Sequence, residues 1–443
     1  MSKGPAGWKG TDARALAAEL LRRIESEPTE RASELLQSAL ARLNDGRDKA
    51  LATELVYGVQ RWQRRVDASL EKWMPKGLAS VEPMARALLR VGAYQVRLLD
   101  RIPPEIAVSA TQDAARAIGM ARLTGLLNAV LRKVAGAPEA LPTGSSDAAI
   151  GLRASLPDWI VAALRVAFGD AAVDAEAMAL RERAKVSLRP TLGKGGAAAT
   201  IAALALEGIE GREVAHGAVE ISGGDPFRTS AMAQGLFVAQ DGSGLVVIDE
   251  VAAACGVVAG GSLAGKRVLD LCAGRGVKAI ALADRGATVV AVDVAGEKLD
   301  ELMRVARRLG VADRIARTVA LDAAGEGADA VLAGLGEFDA VLVDAPCTGL
   351  GTLRRHPEIA WRTSPRDVEN LMALQGRLLN AGAARVAVGG GLVYAVCSFV
   401  RGEGEVSLPS RSPSLVWESA ARLDLAPSSG LDAFQVRRWT RRS

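Results

Sequence analysis

The chain is poor in the residues that bind metals through sulfur and imidazole: its 443 residues hold four cysteines, at 255, 272, 347 and 397, and two histidines, His216 and His356. The cysteines lack paired C-x-x-C spacing, so no zinc site is expected. No uninterrupted apolar run reaches bilayer length, and the opening MSKGPAGWKG lacks the apolar core of a signal peptide. A membrane span and a secreted, disulfide-stapled protein are therefore not expected. A reducing cytoplasm fits, and free thiols there stay available as nucleophiles. Large net charge is missing too, with 55 Lys and Arg against 51 Asp and Glu giving +4. Basic residues nevertheless cluster as RWQRR at 61–65, LRR at 353–355 and RRWTRRS at the C-terminus, which points to an anionic partner.

Apolar residues, by contrast, are plentiful: 49% are hydrophobic and 24% charged, the balance of a globular chain, and 443 residues exceed one ordinary core. Over 12–43 apolar residues recur at helical spacing (Leu16, Leu20, Leu21, Ile24, then Leu35, Leu36, Leu40), and similar series follow in 50–62, 83–99, 104–118 and 123–134. These predict an all-helical domain over 8–137. GAPEALPTGSSD at 136–147 reads as a linker, and a boundary is placed there. A helical stretch followed by the strand-like pieces KVSLRP and AVEIS predicts a small α/β subdomain over 147–225, leaving 226–443 for a catalytic domain. Cys255, on the apolar face of a helix ending near Gly256, is expected in the core.

Residues able to do chemistry concentrate in 266–398. KRVLDLCAGRGVKA reads as a strand, a turn holding Gly274 and Gly276, and the start of a helix. ATVVAVDV then brings Asp293 to the end of a second strand, where a carboxylate can accept hydrogen bonds from both hydroxyls of a ribose. This pair predicts a nucleoside-cofactor site. On these residues alone NAD, S-adenosylmethionine and a purely structural turn stay open, because GRGVKA also fits the dinucleotide pattern. Further on, EFDAVLVDAPCTGLG predicts a strand ending in Asp344, Pro346 and Cys347, and GGLVYAVCSFV a strand delivering Cys397. Two thiols and a carboxylate thus leave the carboxyl ends of parallel strands, where open α/β sheets bind ligands.

In this order, DLCAGRGVKA, VDV, LD at Asp322, VDAPCTGLGTLRRHPEIAW and VYAVCS resemble the S-adenosylmethionine-dependent RNA cytosine-C5 methyltransferases. Within them the chain is similar to the RsmB/Sun/Fmu-type enzymes of small-subunit ribosomal RNA. The Pro-Cys of one loop with the Cys-Ser of the next is specific to that group. ELVYGVQRW, LLRVGAYQVRLLDRIPPEIAVSATQDAAR and GLLNAVLRKV resemble the NusB helical domain, which implies an RNA-binding or protein-docking module. The fold implied is an all-α NusB-like domain, a small α/β subdomain that clasps RNA, and a Rossmann-like α/β methyltransferase domain. Two departures stand out: Gly274, Arg275, Gly276, Val277 and Lys278 replace the family's Ala-Pro-Gly-Gly-Lys, and Val396 replaces its Thr before the nucleophilic cysteine.

The resemblance also implies roles. S-adenosylmethionine would lie against Cys272, Ala273, Gly274, Arg275, Gly276, Val277 and Lys278, with Asp293 at the ribose, Asp322 at the adenine amino group and Asp344 close by. Cytosine C5 is too weak a nucleophile to take a methyl group unaided, so a thiolate must first add to C6. Cys397 is assigned that addition and Cys347 the later proton removal or release; the reverse order, used by DNA cytosine methyltransferases, stays open. Asp344 would meet the N3 and amino edge of the base, Lys278 would orient Asp344, and Asp270 would hold the loop. Arg354, Arg355 and His356 would touch phosphates flanking the target. The expected partner is small-subunit ribosomal RNA, with no metal, no membrane and a monomeric state. Three other readings remain: a methyltransferase acting on tRNA, a nicotinamide-dependent oxidoreductase with no need for both thiols, and a non-catalytic RNA-binding assembly factor.

Overall fold

The computed structural model describes residues 12–27, 32–406, 408 and 416–443. The polar leader, including the expected domain start at 8, and the Pro- and Ser-containing stretch 409–415 lie outside the described residues. Two compact units emerge, one formed by Met1–Glu182 with Leu353–Thr363, the other by Arg183–Thr352 with Ser364–Ser443.

The first unit is helical, as its apolar spacing predicts. Helices run over Ala13–Ser26, Ala32–Leu40, Gly46–Arg61, Gln63–Glu71, Pro83–Leu98, Pro104–Ala117 and Thr124–Gly136. Asp12 starts the first by accepting the N–H groups of Arg14 and Ala15, and prolines open two others, where the missing N–H costs nothing. Leu16, Leu20, Leu55, Leu88, Leu89, Leu127 and Leu131 fill the core at 2% exposure or less, each contributing about 1.5–3 kcal/mol by leaving water. The division between units does not fall at 136–147. Three further helices, Asp147–Arg153, Asp158–Phe168 and Val173–Ala179, stay with this unit. Arg65 grips Glu139 with two nitrogens, and Arg64 donates to the Leu156 carbonyl and to Asp158. The expected linker is thus a connection inside the helical unit, and the expected subdomain 147–225 is divided at Glu182.

In the second unit, strands β1 (Val186–Pro190), β2 (Glu210–Glu213), β3 (Val219–Ser222) and β4 (Phe237–Ala239) form an antiparallel sheet in the order β2-β3-β1-β4. Arg189 of β1 reaches Asp284 at 3.1 Å, both side chains being buried, and Asp284 also accepts the N–H groups of Leu192 and Gly193. This fastens the small sheet to the helix Val277–Asp284 that follows the glycine loop.

The large sheet comprises β5 (Arg267–Asp270), β6 (Thr288–Asp293), β7 (Ile315–Ala320), β8 (Phe338–Asp344), β9 (Val386–Val396), β10 (Trp417–Leu425) and β11 (Phe434–Arg441), in the order β10-β11-β9-β8-β5-β6-β7. Strands β5 to β9 run parallel, and β11 and β10 return antiparallel. Their Val-, Leu- and Ala-rich interiors are buried between helices, as a sheet covered on both faces requires. From β5 the chain moves to β6 on one side, while β8 pairs on the other, so the strand order reverses at β5. Ligands of open α/β sheets bind at such a switch point, beyond the carboxyl ends of the strands. Asp270, Asp293, Asp344 and Val396 are the last residues of β5, β6, β8 and β9.

Candidate active site

The glycine loop leaves β5 at Asp270 and enters its helix at Val277. Gly276 has φ +81, and a Cβ there would lie 2.2 Å from Leu302, so only glycine fits. Arg275 and Val277 turn their side chains outward, Arg275 reaching Glu301 at 3.3 Å, so the two departures leave the turn intact. Asp293 ties the loop down: one carboxyl oxygen accepts the Gly274 N–H at 2.8 Å and the other the Ala295 N–H at 2.9 Å. Each oxygen keeps one lone pair for a ligand hydroxyl. Asp322 is exposed two residues beyond β7 and accepts from Ala324 N–H at 3.0 Å.

Asp270 behaves differently. It is 1% exposed, and its carboxyl oxygens have no well-aligned hydrogen bond, only the approach of the Cys272 backbone N–H. Burial, reinforced by Asp344, pushes its pKa up to about 7, and Lys278 and the Cys272 backbone pull the other way without compensating. A buried carboxyl left without a partner costs free energy that a ligand cation would restore. S-adenosylmethionine carries an ammonium and a sulfonium centre, and Asp270, Asp293 and Asp344 end three neighbouring strands with Asp322 just beyond β7, so carboxyl groups gather at the carboxyl edge of the sheet. Sequence reading allows Asp270 a loop-holding role, and its burial at the end of β5 is compatible with that.

Lys278, on the first turn of the helix, donates to Asp344 at 2.6 Å and lies over the Phe434 ring at 5.5 Å. Burial lowers the Lys278 pKa, but the charge and hydrogen bond of Asp344, with Cys397 and Asp270, outweigh it, so the ammonium stays charged. Beyond Asp344 the chain turns into Cys347, and beyond β9 into Cys397. The two sulfurs stand 3.2 Å apart as free thiols, both partly exposed. Contact with Cys397, burial and Glu403 push the Cys347 thiol well above its usual range. Cys272 is likewise raised, chiefly by burial, and packs against the core. Cys255 is core as expected, 8% exposed.

Sequence reading missed the residues that hold the two thiol loops. Glu403, in the turn Arg401–Gly404, is 0% exposed and accepts from Thr348 N–H, Thr348 hydroxyl, Ser398 hydroxyl and Gln375. Gly351 closes the arrangement: its N–H donates to the Cys397 carbonyl at 3.0 Å, and a Cβ there would lie 1.9 Å from the Ala433 carbonyl oxygen. One expectation is corrected. Arg354 is only 5% exposed, within the segment Leu353–Thr363 that packs into the helical unit, where its carbonyl accepts from Arg61 at 3.0 Å and Trp361 donates to the Gln60 carbonyl at 2.7 Å. Burial removes it from a phosphate-facing surface. Arg355 and His356 are half-buried in the same segment, with His356 3.7 Å from Glu358.

Residues 262–410 match the family of 16S rRNA methyltransferase RsmB/F, and residues 11–136 match the NusB family. The ribosomal RNA small subunit methyltransferase B of Xanthomonas campestris is 32% identical over 405 residues, covering 90% of this chain and 87% of that protein. The chain belongs to the RsmB/F family. The Thermus thermophilus relative of the same name is also 32% identical, over 442 residues, 95% of this chain and 96% of that one. Membership makes this an S-adenosylmethionine-dependent RNA methyltransferase with a NusB-like helical region, and it removes the nicotinamide oxidoreductase reading. Among solved structures, PH0851 superposes with a TM-score of 0.76 at 21% identity, covering 99% of both chains. NSun6 from Pyrococcus horikoshii with SFG gives 0.54 at 14% identity, covering 65% of this chain and 98% of that one. At these identities the likeness concerns the fold.

Proposed function

We propose that the protein methylates C5 of a cytosine in small-subunit ribosomal RNA through a covalent adduct between Cys397 and C6 of the base. The observation that carries this reading is the pair of partly exposed thiols 3.2 Å apart at the ends of neighbouring strands, beside a Lys278–Asp344 pair at 2.6 Å. One methyl transfer onto an oxygen or nitrogen needs no thiol, whereas activation of C5 needs a nucleophile that adds and later leaves. Cys397, at the end of β9 and followed by Ser398, matches the family's nucleophilic cysteine and is taken as the attacking group, with Cys347 acting later. Asp344, fixed by Lys278, meets the N3 and amino edge of the base and steadies the charge that develops as sulfur bonds to C6. S-adenosylmethionine, held by Asp270, Asp293, Asp322 and the loop 272–278, supplies the methyl group taken by C5. The C5 proton then passes to a base, its bonding pair re-forms the C5–C6 double bond, and Cys397 leaves as a thiolate, with Cys347 assisting proton removal or enzyme release. The protein acts as a cytoplasmic monomer, the NusB-like region adding RNA affinity, with Arg355 and His356 as remaining candidates for phosphate contact.

The test is to incubate variants with S-adenosylmethionine and a 16S ribosomal RNA fragment and to examine denaturing gels for protein that migrates with RNA. Cys397→Ala abolishes methylation and gives no shifted band. Cys347→Ala forms the adduct and releases it slowly, so the band accumulates. A band with Cys397→Ala alone would reverse the assignment, and absence of methyl transfer by the unmodified protein to ribosomal RNA or tRNA would favour a non-catalytic assembly role.

A further inference from the structure

We infer that Glu403 is a positioning residue that sets the separation of the two thiols. This rests on the proposed use of both cysteines and adds the group that holds them. The carboxyl is wholly buried and every acceptor position is filled. Its Oε1 accepts Thr348 N–H at 2.8 Å and Gln375 Nε2 at 3.1 Å; its Oε2 accepts the hydroxyls of Thr348 at 2.6 Å and Ser398 at 2.5 Å. Thr348 directly follows Cys347, and Ser398 directly follows Cys397. One side chain therefore grips the neighbour of each thiol.

The grip is itself braced. Gln375 spends its second contact on the Pro346 carbonyl at 2.9 Å, fixing the residue before Cys347. The Glu403 carbonyl accepts the Tyr394 hydroxyl at 2.6 Å, and Gln435 donates to the carbonyls of Ser398 and Val400 at 3.0 and 2.9 Å. Buried charge with full hydrogen bonding sits rigidly, because any displacement breaks several bonds at once. Glu403 touches neither substrate nor sulfur in this arrangement. Its effect passes through Thr348 and Ser398 to the relative placement of two groups that must act in turn on one base. Glutamine is a demanding replacement, since its amide keeps one acceptor oxygen and its N–H groups are satisfied only if the Thr348 and Ser398 hydroxyls turn from donors into acceptors and find new partners for their own protons.

The experiment compares the full chain with Glu403→Gln, using exposed Glu405→Gln as a control. The first readout needs no RNA. Diamide accepts two hydrogens across its N=N bond as the Cys347 and Cys397 thiols join in a disulfide, and the rate of thiol loss reports how often the sulfurs meet; Cys347→Ser gives the background from Cys255 and Cys272. Glu403→Gln is expected to slow this rate about tenfold, as lost proximity does. The second readout is methyl transfer, where kcat falls by about tenfold to a hundredfold while KM for S-adenosylmethionine stays within about twofold. Should Glu403→Gln fail to fold, Thr348→Val, which removes one hydroxyl at constant shape, is read instead and moves both quantities the same way. An unchanged disulfide rate in a folded variant overturns the proposal whatever kcat does. Failure of the unmodified protein to methylate RNA would overturn the cytosine reading while leaving the disulfide rate as the measure of positioning.

Discussion

Asp270 and Glu403 are both carboxyl groups at about 1% exposure or less, at opposite ends of one site, yet they are opposite in kind. Glu403 accepts four hydrogen bonds from the protein; Asp270 has no well-aligned one, only the approach of the Cys272 backbone N–H. The difference separates scaffold from receptor. A group whose partners are all supplied by its own chain holds geometry and has nothing left for a ligand. One buried without partners is destabilised until a ligand supplies them. The thiol loops are thus held still, and in the proposed site the unpaired carboxyl is the one a cofactor would fill.

Thermal stability should split the two with opposite signs, and this is the largest effect expected. Glu403→Gln removes one acceptor oxygen from a fully buried cluster, costing about 1–3 kcal/mol for each hydroxyl proton left unpaired. Asp270→Asn relieves a buried charge and should raise the melting temperature of the cofactor-free protein, but only in part of the pH range. The Asp270 pKa rises from 3.8 to about 7 on folding. Folded protein then keeps a proton that the unfolded chain has released, so stability falls as pH rises through this window and stays low above it. The gain from Asp270→Asn is accordingly absent near pH 4 and complete above pH 7, measurable by calorimetric melting across that range. A gain independent of pH would show that Asp270 is not the titrating group.

Which parts of this could be read beforehand follows the same division. Strands β5, β6, β8 and β9 and the glycine loop were legible because apolar runs, a turn that tolerates only glycine and the carboxyl or thiol at each strand end are local features. Glu403 and Gln375 were not, because they acquire their function only when distant loops converge; nothing in RGEG or in the helix Pro365–Ala383 marks them. Strand β10 escaped because its residues alternate between exposed and half-buried and carry charge, and β2 because EGRE is a short polar edge. The basic clusters pointed to an anionic partner but not to which arginines are free to meet it. Counting charges ignores their partners, and Arg64, Arg65, Arg441 and Arg442 pair with Asp158, Glu139, Glu337 and Glu418. The stretch 136–147 has linker composition but lies where Arg65 and Arg64 hold both flanks to one helical unit.

The unfilled end predicts a pH-dependent affinity of intermediate size. If the cofactor ammonium meets ionised Asp270, binding at acid pH must first displace the proton held at a pKa of about 7. Affinity for S-adenosylmethionine should fall about tenfold per pH unit below that value. On the alkaline side it should decline again as the cofactor amine, with an ordinary α-amino pKa of about 8, loses its charge. The charged groups that face Asp270 are Asp344, Lys278 and Asp293. Titration calorimetry in buffers of different ionisation enthalpy should register proton release near pH 6.5, and Asp270→Asn should flatten the acid limb. A limb that persists in Asp270→Asn would assign it elsewhere.

Asp293 lies between the two extremes and should give the smallest effect. It has committed one lone pair of each oxygen to the Gly274 and Ala295 N–H groups, with Lys298 3.8 Å away, and in the proposed site the remaining pairs would meet the ribose hydroxyls. Asp293→Ala therefore removes two ligand contacts and two loop contacts together. Hydrogen bonds to a charged acceptor contribute about 1.5–3 kcal/mol, but the hydroxyls regain water when the site loses its carboxylate, so the net loss should be several-fold in cofactor affinity. RNA affinity should stay nearly unchanged, because Asp293 is buried behind the glycine loop. Calorimetry with S-adenosylmethionine and filter binding with a ribosomal RNA fragment separate the two quantities. Asp293→Asn sharpens the comparison: the amide still presents one acceptor to the loop, so part of the affinity should return. If it loses as much as Asp293→Ala, the contribution of Asp293 is its charge toward the cofactor rather than its half-filled hydrogen bonding, and it belongs with Asp270.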